Sequence, residues 1–189
     1  MANQGTARKT GLLEQINGPH HRAAVNIFAL IVLAHWAEHL VQAFQIWGLG
    51  WARPQARGVL GMPFPWLVEQ EWLHYGYALI MLVGFWVLRN GFVGQSRSWW
   101  MAAFWIQVWH HFEHLLLLLQ WHSGIYLAGK AAPTSIIQLL VPRVELHLFY
   151  NAVVTLPMLV AMYYHLRPSR ADAELMHCSC HSRPVGAAA

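Results

Sequence analysis

Apolar residues dominate four long stretches of the chain, and polar residues collect between them. The stretches cover about residues 23–47, 71–89, 98–121 and 144–166. Each is close to the ~20 residues that an α-helix needs to cross the hydrocarbon core of a bilayer. The pattern therefore predicts an all-α integral membrane protein with four transmembrane helices arranged as a bundle.

Composition agrees with this architecture and limits the classes of partner. Hydrophobic residues make up 57% of the 189-residue chain and charged residues only 11%, which is atypical of a soluble domain. Lysine and arginine favour the N-terminal segment, the second connection and the tail over the other two connections, by eight to four. Because cytoplasmic flanks are enriched in these residues, we predict a multi-pass protein of the cell membrane with both termini in the cytoplasm. Basic flanks beside anionic lipid also explain the pI of about 9.4, so the predicted partner is the lipid bilayer and no nucleic acid is expected.

Two polar motifs inside the apolar stretches repeat along the chain. HWAEH at 35–39 matches HHFEH at 110–114 at an offset of 75, and LHYGY at 73–77 matches LHLFY at 146–150 at an offset of 73. Each half then crosses the membrane an even number of times, so both halves start on the same side. The motifs therefore predict a 2+2 parallel internal repeat.

This repeat divides the chain into three predicted regions. Residues 1–22 are a cytoplasmic N-terminal segment, and residues 167–189 are a flexible cytoplasmic tail. Residues 23–166 form a four-helix transmembrane metal-binding domain, with repeats of about 23–89 and 98–166.

The repeated polar residues are predicted to converge in one layer. Within each HxxEH motif the three polar side chains share one face of a helix. An ionisable side chain inside the bilayer costs at least ~2.5–3.5 kcal/mol on insertion scales, so the two glutamates need partners or a purpose. A metal centre would give these glutamates a purpose, because it binds carboxylates directly. The predicted ligands are His35, Glu38, His39, His74, His110, Glu113, His114 and His147.

This ligand set indicates a pair of metal ions and redox chemistry. Bridging carboxylates beside imidazoles favour a dinuclear centre of iron, with zinc, manganese or copper as other candidates. We predict a membrane oxidoreductase, such as an oxygenase, that acts on a lipophilic substrate and receives electrons from a donor protein. Glu38, Glu113, Tyr77 and Tyr150 are its predicted catalytic residues, because the tyrosines follow the histidines of the second motif by one helical turn.

The motifs resemble two known patterns. HWAEH and HHFEH are similar to the H-x-x-x-H boxes of membrane di-iron desaturases and hydroxylases, although the H-x-x-H-H box of those enzymes is absent here. They also resemble the H-x-x-E-H signature of inverzincins, in which two histidines hold zinc and the glutamate is the general base. The second resemblance implies a zinc-dependent membrane hydrolase.

Two other functions fit parts of the sequence. A membrane cytochrome could hold haem b between histidine pairs such as His35 with His110 or His39 with His114. A metal-ion transporter could use the same residues as an ion path. In the tail, His177-Cys178-Ser179-Cys180-His181 contains both cysteines of the chain and could bind Cu(I) or zinc.

Overall fold

The computed structural model describes residues 11–180, and these residues form helices and connecting segments without a β-strand. In chain order the α-helices are α1 (Leu12–Asn17), α2 (His21–Ala43), α3 (Pro65–Glu69), α4 (Trp72–Leu88), α5 (Gly94–Ser123), α6 (Arg143–Leu166) and α7 (Arg170–Leu175). The all-α prediction is confirmed for this part of the chain. The predicted segment 1–22 and tail 167–189 lie partly outside it.

Shorter helical turns extend or connect these helices. A π-helix at Phe44–Gly48 continues α2, and a 3-10 turn at Arg89–Gly91 continues α4. Three further 3-10 turns, Arg53–Gln55, Leu127–Gly129 and Ile137–Leu139, lie in the two long connections. Turns of the π type are rare and frequently accompany functional sites.

Three helical segments are long and apolar enough to cross a membrane: His21–Gly48, Trp72–Gly91 and Arg143–Leu166, with 28, 20 and 24 residues. They correspond to the first, second and fourth predicted spans. The third predicted span lies within α5, which has 30 residues. Its length is sufficient, but its tryptophans, histidines and glutamines lower its mean hydropathy. Length and composition thus support a membrane protein.

The four long helices pack side by side. α5 contacts both α4 and α6, and α2 contacts the same two helices. Side chains of α5 also bond to the backbone of α4, because Trp100 Nε1 donates to the carbonyl of Phe85 at 2.9 Å and Gln107 Nε2 donates to that of Ala78 at 3.0 Å. Polar side chains that reach across helices in this way add to van der Waals packing, which holds helices together in lipid.

Aromatic rings fill the centre of this arrangement, and we call Phe28, Phe85, Phe92 and Trp100 the aromatic core. Ring centroids lie 4.1 Å apart for Phe92 and Trp100, 4.9 Å for Phe85 and Trp100, and 5.0 Å for Phe28 and Phe85. Such pairs contribute about 0.5–1.5 kcal/mol each beyond the area they bury. Gly84 on α4 allows the close approach of α2, since a Cβ there would lie 2.4 Å from the Phe28 ring.

Large apolar side chains also point outward from these helices. Leu30 and Leu33 on α2 and Leu156 and Leu159 on α6 are all more than half exposed. Exposed apolar side chains along a long helix are typical of a surface that contacts lipid.

Candidate metal centre

Six buried histidines meet where the ends of the four long helices come together. Two lie in the C-terminal half of α2, two in that of α5, and one each near the starts of α4 and α6. They are His35, His39, His74, His110, His114 and His147, and each is at most 3% exposed. The structure thus brings together all six histidines that the repeat predicted, and we call them the six-histidine layer.

Ring nitrogens in this layer approach one another at the distance of neighbouring metal ligands. The Nε2 atoms of His35 and His39 are 3.1 Å apart, and so are those of His114 and His147. This separation allows a hydrogen bond between the rings. It also suits an ion, because two nitrogens bound at ~2.0–2.1 Å to one ion lie roughly 2.9–3.4 Å apart.

Two of the six rings are oriented by hydrogen bonds from their other nitrogen. His39 Nδ1–H donates to Gln42 Oε1 at 2.9 Å, and His147 Nδ1–H donates to the carbonyl of Arg143 at 2.6 Å. Each bond fixes the proton on Nδ1 and leaves the Nε2 lone pair directed into the layer. Metal-bound histidines are held by partners of this kind.

Other nitrogens of the layer are buried without a hydrogen-bond partner. Within the described chain they are Nδ1 of His35, His74 and His114 and both ring nitrogens of His110. Buried polar groups are bonded in the great majority of cases, and each exception costs about 1–3 kcal/mol. His110 is the clearest case. One nitrogen of its ring lies within 4.8 Å of nitrogens of His114 and His147, so the three can share an ion.

The two predicted tyrosines lie against this layer. Tyr77 stacks on His35 with ring centroids 5.0 Å apart, and Tyr150 packs on His110 at 4.4 Å. The Tyr150 hydroxyl also accepts a hydrogen bond of 2.8 Å from Trp109 Nε1. Both rings therefore contact histidines of the layer directly.

The first predicted glutamate ligand has a different set of partners. The Glu38 carboxylate accepts hydrogen bonds from the backbone N–H groups of Val59 and Leu60, both at 3.0 Å, in the connection between α2 and α3. Gly58 lies against the same carboxylate, where its φ of +76° and a Cβ distance of 2.4 Å to Glu38 Oε1 require glycine. Glu38 thus fastens the first long connection to α2.

Glu113 has the equivalent arrangement in the second half. Its carboxylate accepts hydrogen bonds of 3.0 Å from the Ser135 hydroxyl and from the backbone N–H of Ile137, in the connection between α5 and α6. In the described part of the chain, neither glutamate is hydrogen-bonded to the six-histidine layer. The prediction that both are ligands and catalytic groups therefore lacks support from these contacts.

The glutamine seven residues after each glutamate holds the same connections. Gln45 Oε1 accepts from the Gly58 N–H at 3.0 Å, and its Nε2 donates to the Gly58 carbonyl at 3.4 Å. Gln120 forms the same pair of bonds with Thr134, at 3.3 Å and 2.9 Å. Both long connections are thus bound back onto the helices that precede them.

A cavity of about 670 Å³ leads to the layer from these connections. His39, His74 and His147 line it. Three ion pairs surround it: Arg53 with Glu145, Arg57 with Glu69, and Arg143 with Glu71. Charged side chains thus line part of the cavity, and apolar residues such as Val68, Trp121 and Pro142 line much of the rest.

A second group of potential ligands lies at the opposite ends of the helices. It contains His21, His165, Cys178 and Cys180, whose donor atoms lie within 4.8 Å of one another. The sequence indicated the two cysteines through the HCSCH motif, of which His181 lies outside the described residues. It did not predict His21 or His165. The GPHHR sequence at 18–22 was the available signal for His21, and the last turn of an apolar helix gave none for His165.

Thiol chemistry in this second group favours metal binding. A hydrogen bond from Cys180 lowers the pKa of the Cys178 thiol, and the same contact raises the pKa of the Cys180 thiol, so Cys178 is the thiol that loses its proton first. The thiolate is the form of cysteine that binds metals.

No protein family model matches this chain, and no curated protein or solved structure matches it. Its function must therefore be inferred from the site itself.

Proposed function

We propose that this protein is an integral membrane oxidoreductase that binds redox-active metal through the six-histidine layer of a four-helix bundle. The observation that carries the proposal is the burial of six imidazoles from four helices at the foot of an open cavity. Several buried nitrogens of this layer have no hydrogen-bond partner, and a bound metal would give a partner to those that face it.

The ring geometry supports the proposed 2+2 repeat. Centroids of the two histidines of each HxxEH motif are 4.8 Å apart in the first half and 4.5 Å apart in the second. The second histidine of each motif lies 5.2 Å and 4.9 Å from the histidine of its LHxxY motif. Similar distances in both halves are expected if a pseudo-twofold axis relates them. Each half then contributes three imidazoles to the metal site.

The donor set bears on the identity of the metal. The prediction of iron depended on carboxylates that bridge two ions, and the contacts of Glu38 and Glu113 favour their role in holding the connections. The remaining donors are imidazoles, which suit copper and zinc as well as iron. We therefore propose two ions of iron or copper with a position open to a reactant. One is held by His110, His114 and His147, whose nitrogens lie within 4.8 Å of one another, and the other is held by histidines of the first half.

The chemistry of the cavity bears on what can reach the metal. Three arginines and their acidic partners stand along the route from outside, while most of the exposed lining is apolar. The cavity therefore suits either a small polar reactant or the lipophilic substrate that the sequence predicted. The metal would exchange electrons with the reactant, and Tyr77 and Tyr150 are positioned beside the histidines to move a proton or an electron.

The alternatives receive less support from the same contacts. A haem b would need a flat space between two histidines, but Tyr77 and Tyr150 pack directly on His35 and His110. A transporter would need an exit on the other side of the layer. The aromatic core fills that side with buried, closely packed rings.

Metal analysis and a visible spectrum of the purified full-length protein test the proposal. We expect iron or copper in the wild type and loss of that metal in His110→Gln/His114→Gln. The matched control, His111→Gln/His122→Gln, changes two neighbouring histidines of α5 outside the layer and should keep the metal. Oxygen consumption with a reduced quinone as electron donor should follow metal content. A sharp Soret band would replace the proposal with a cytochrome, and equal metal content in both variants would refute the site.

A further inference from the structure

A second cluster of metal-binding side chains joins the two ends of the described chain. His21 is the first residue of α2, and His165 lies in the last turn of α6. Cys178 and Cys180 follow α7 in the tail. Fourteen residues of α2 separate His21 from His35, or about 21 Å at ~1.5 Å per residue, so this cluster is remote from the six-histidine layer.

The four donor atoms have the spacing of a tetrahedral site. Cys178 Sγ lies 3.5 Å from His165 Nε2, and Cys180 Sγ lies 3.5 Å from His21 Nδ1. In a tetrahedral site with metal–nitrogen and metal–sulfur bonds of ~2.1 and ~2.3 Å, neighbouring donors lie roughly 3.4–3.8 Å apart. Two edges of the tetrahedron are therefore already at this length, and all six are within 4.8 Å.

The backbone around His21 selects the nitrogen that faces the cysteines. His21 Nε2–H donates to the carbonyl of Leu88 at 3.3 Å, which leaves the Nδ1 lone pair directed at Cys180. Gly91 lies directly against this ring, and a Cβ there would be 2.2 Å from His21 Nε2. A metal-bound histidine requires this kind of outer partner to fix its tautomer.

Two hydrogen bonds of Ser179 also fix the position of the tail beside the start of α2. The Ser179 N–H donates to the carbonyl of Gly18 at 2.9 Å, and the Ser179 hydroxyl accepts from the backbone N–H of Arg22 at 3.1 Å. Ser179 stands between the two cysteines, so these bonds place both thiols beside His21. Three separate segments thus converge on one point.

We propose that His21, His165, Cys178 and Cys180 bind one zinc ion as a structural site. Two thiolates and two imidazoles in tetrahedral arrangement are typical of zinc, since imidazole does not favour Cu(I) over zinc and thiolate excludes the harder cations. Four protein ligands complete the coordination sphere, which is the property of structural rather than catalytic zinc sites. The ion fastens the tail to the start of α2 and the end of α6.

This inference is independent of the proposed oxidoreductase function, and its test uses a thiolate signal that the six-histidine layer cannot give. Purified full-length protein is loaded with Co²⁺ in place of zinc. We expect one equivalent of cobalt with a thiolate-to-cobalt charge-transfer band in the near ultraviolet and the intense visible bands of tetrahedral cobalt. Absence of the charge-transfer band in the wild type would overturn the proposal without any variant.

Matched variants then assign the ligands. Cys178→Ser/Cys180→Ser should lose the charge-transfer band and one equivalent of zinc. His21→Gln and His165→Gln should weaken zinc binding at least tenfold in competition with a chelator, whereas His20→Gln and His177→Gln, which change exposed neighbours, should not. Equal zinc content in the double cysteine variant and the wild type would refute the site. The metal of the six-histidine layer should be unchanged in all of these variants.

Discussion

Glu38 accepts a hydrogen bond of 3.0 Å from the backbone N–H of Val59, so a carboxylate predicted to bind metal holds a connection in this structure. This contact leads to a direct test. Glu38→Gln should lower the free energy of unfolding by about 1–3 kcal/mol, because an amide replaces a charged acceptor of backbone N–H groups. Metal content should not change.

Thermal unfolding in detergent and metal analysis measure the two quantities on the same sample. Glu69→Gln is the control, since Glu69 forms an exposed ion pair with Arg57 and should cost less than about 1 kcal/mol. Loss of metal from Glu38→Gln at unchanged stability would support the predicted ligand role.

Gly58 should be one of the least replaceable glycines in the connections. Gly58→Ala brings a Cβ to 2.4 Å from Glu38 Oε1 at a φ of +76°. Gly50→Ala is a matched control, because its φ is +69° but nothing lies within 4 Å of its Cβ. Both variants carry a backbone cost of about 1 kcal/mol. We expect Gly58→Ala to unfold at a lower temperature than Gly50→Ala, and equal midpoints would contradict the close contact.

The ion pair of Arg143 with Glu71 should contribute to the stability of the cavity wall. Glu71 is 3% exposed, so Arg143→Met leaves a buried carboxylate without its partner. Such a change costs about 3–5 kcal/mol. Replacing both residues, as Arg143→Met/Glu71→Leu, should recover much of that loss. A double-mutant cycle on thermal unfolding measures the coupling, and additive effects would show that the pair is unimportant.

Replacing each tyrosine with phenylalanine should lower the stability of the protein by different amounts but have the same effect on its activity. Tyr150→Phe removes the acceptor of Trp109 Nε1–H and should cost about 1–3 kcal/mol, because that donor is partly buried. Tyr77→Phe should cost less. If the hydroxyls move protons or electrons, both variants should keep their metal and lose oxidase activity per bound ion. Full activity in both variants would assign the rings to packing alone.

Chelation should release the tail from the helix ends. With the proposed zinc removed, trypsin should cleave faster after Arg170, at the start of α7, because thiolates and imidazoles no longer share an ion. Cleavage after Lys130, which is exposed in the second long connection, is the internal control and should keep its rate. Equal protection at Arg170 with and without chelator would indicate that the backbone bonds of Ser179 are sufficient.

The sequence predicted that the six histidines lie close together, and this prediction has a physical basis. His35 and His39 lie one helical turn apart, so they face one direction in any α-helix, and the offset of 75 supplies their counterparts. Glu38 lies about 100° around the helix from His39. Whether the Glu38 side chain contacts a metal or a connection depends on how the connection folds back onto α2. No periodicity in the sequence encodes the path of the connection.

The sequence could not predict the second cluster of ligands for a related reason. Cys178 and Cys180 are adjacent enough to form a recognisable motif, but His21 and His165 lie at the ends of different helices. Their meeting depends on the tertiary packing of α2 against α6. Helix α5 shows the opposite problem, since its length is that of a membrane span while its polar and aromatic side chains reduce its hydropathy.

The cluster of His21, His165, Cys178 and Cys180 also sets an order of events during biosynthesis. His21 is synthesised at the start of the first long helix, and Cys180 only after all four long helices. The four donors therefore cannot meet until translation has passed the last of them. Zinc loading at the proposed site would then be a late maturation step, and a chain truncated before Cys178 would lack two of the four proposed ligands.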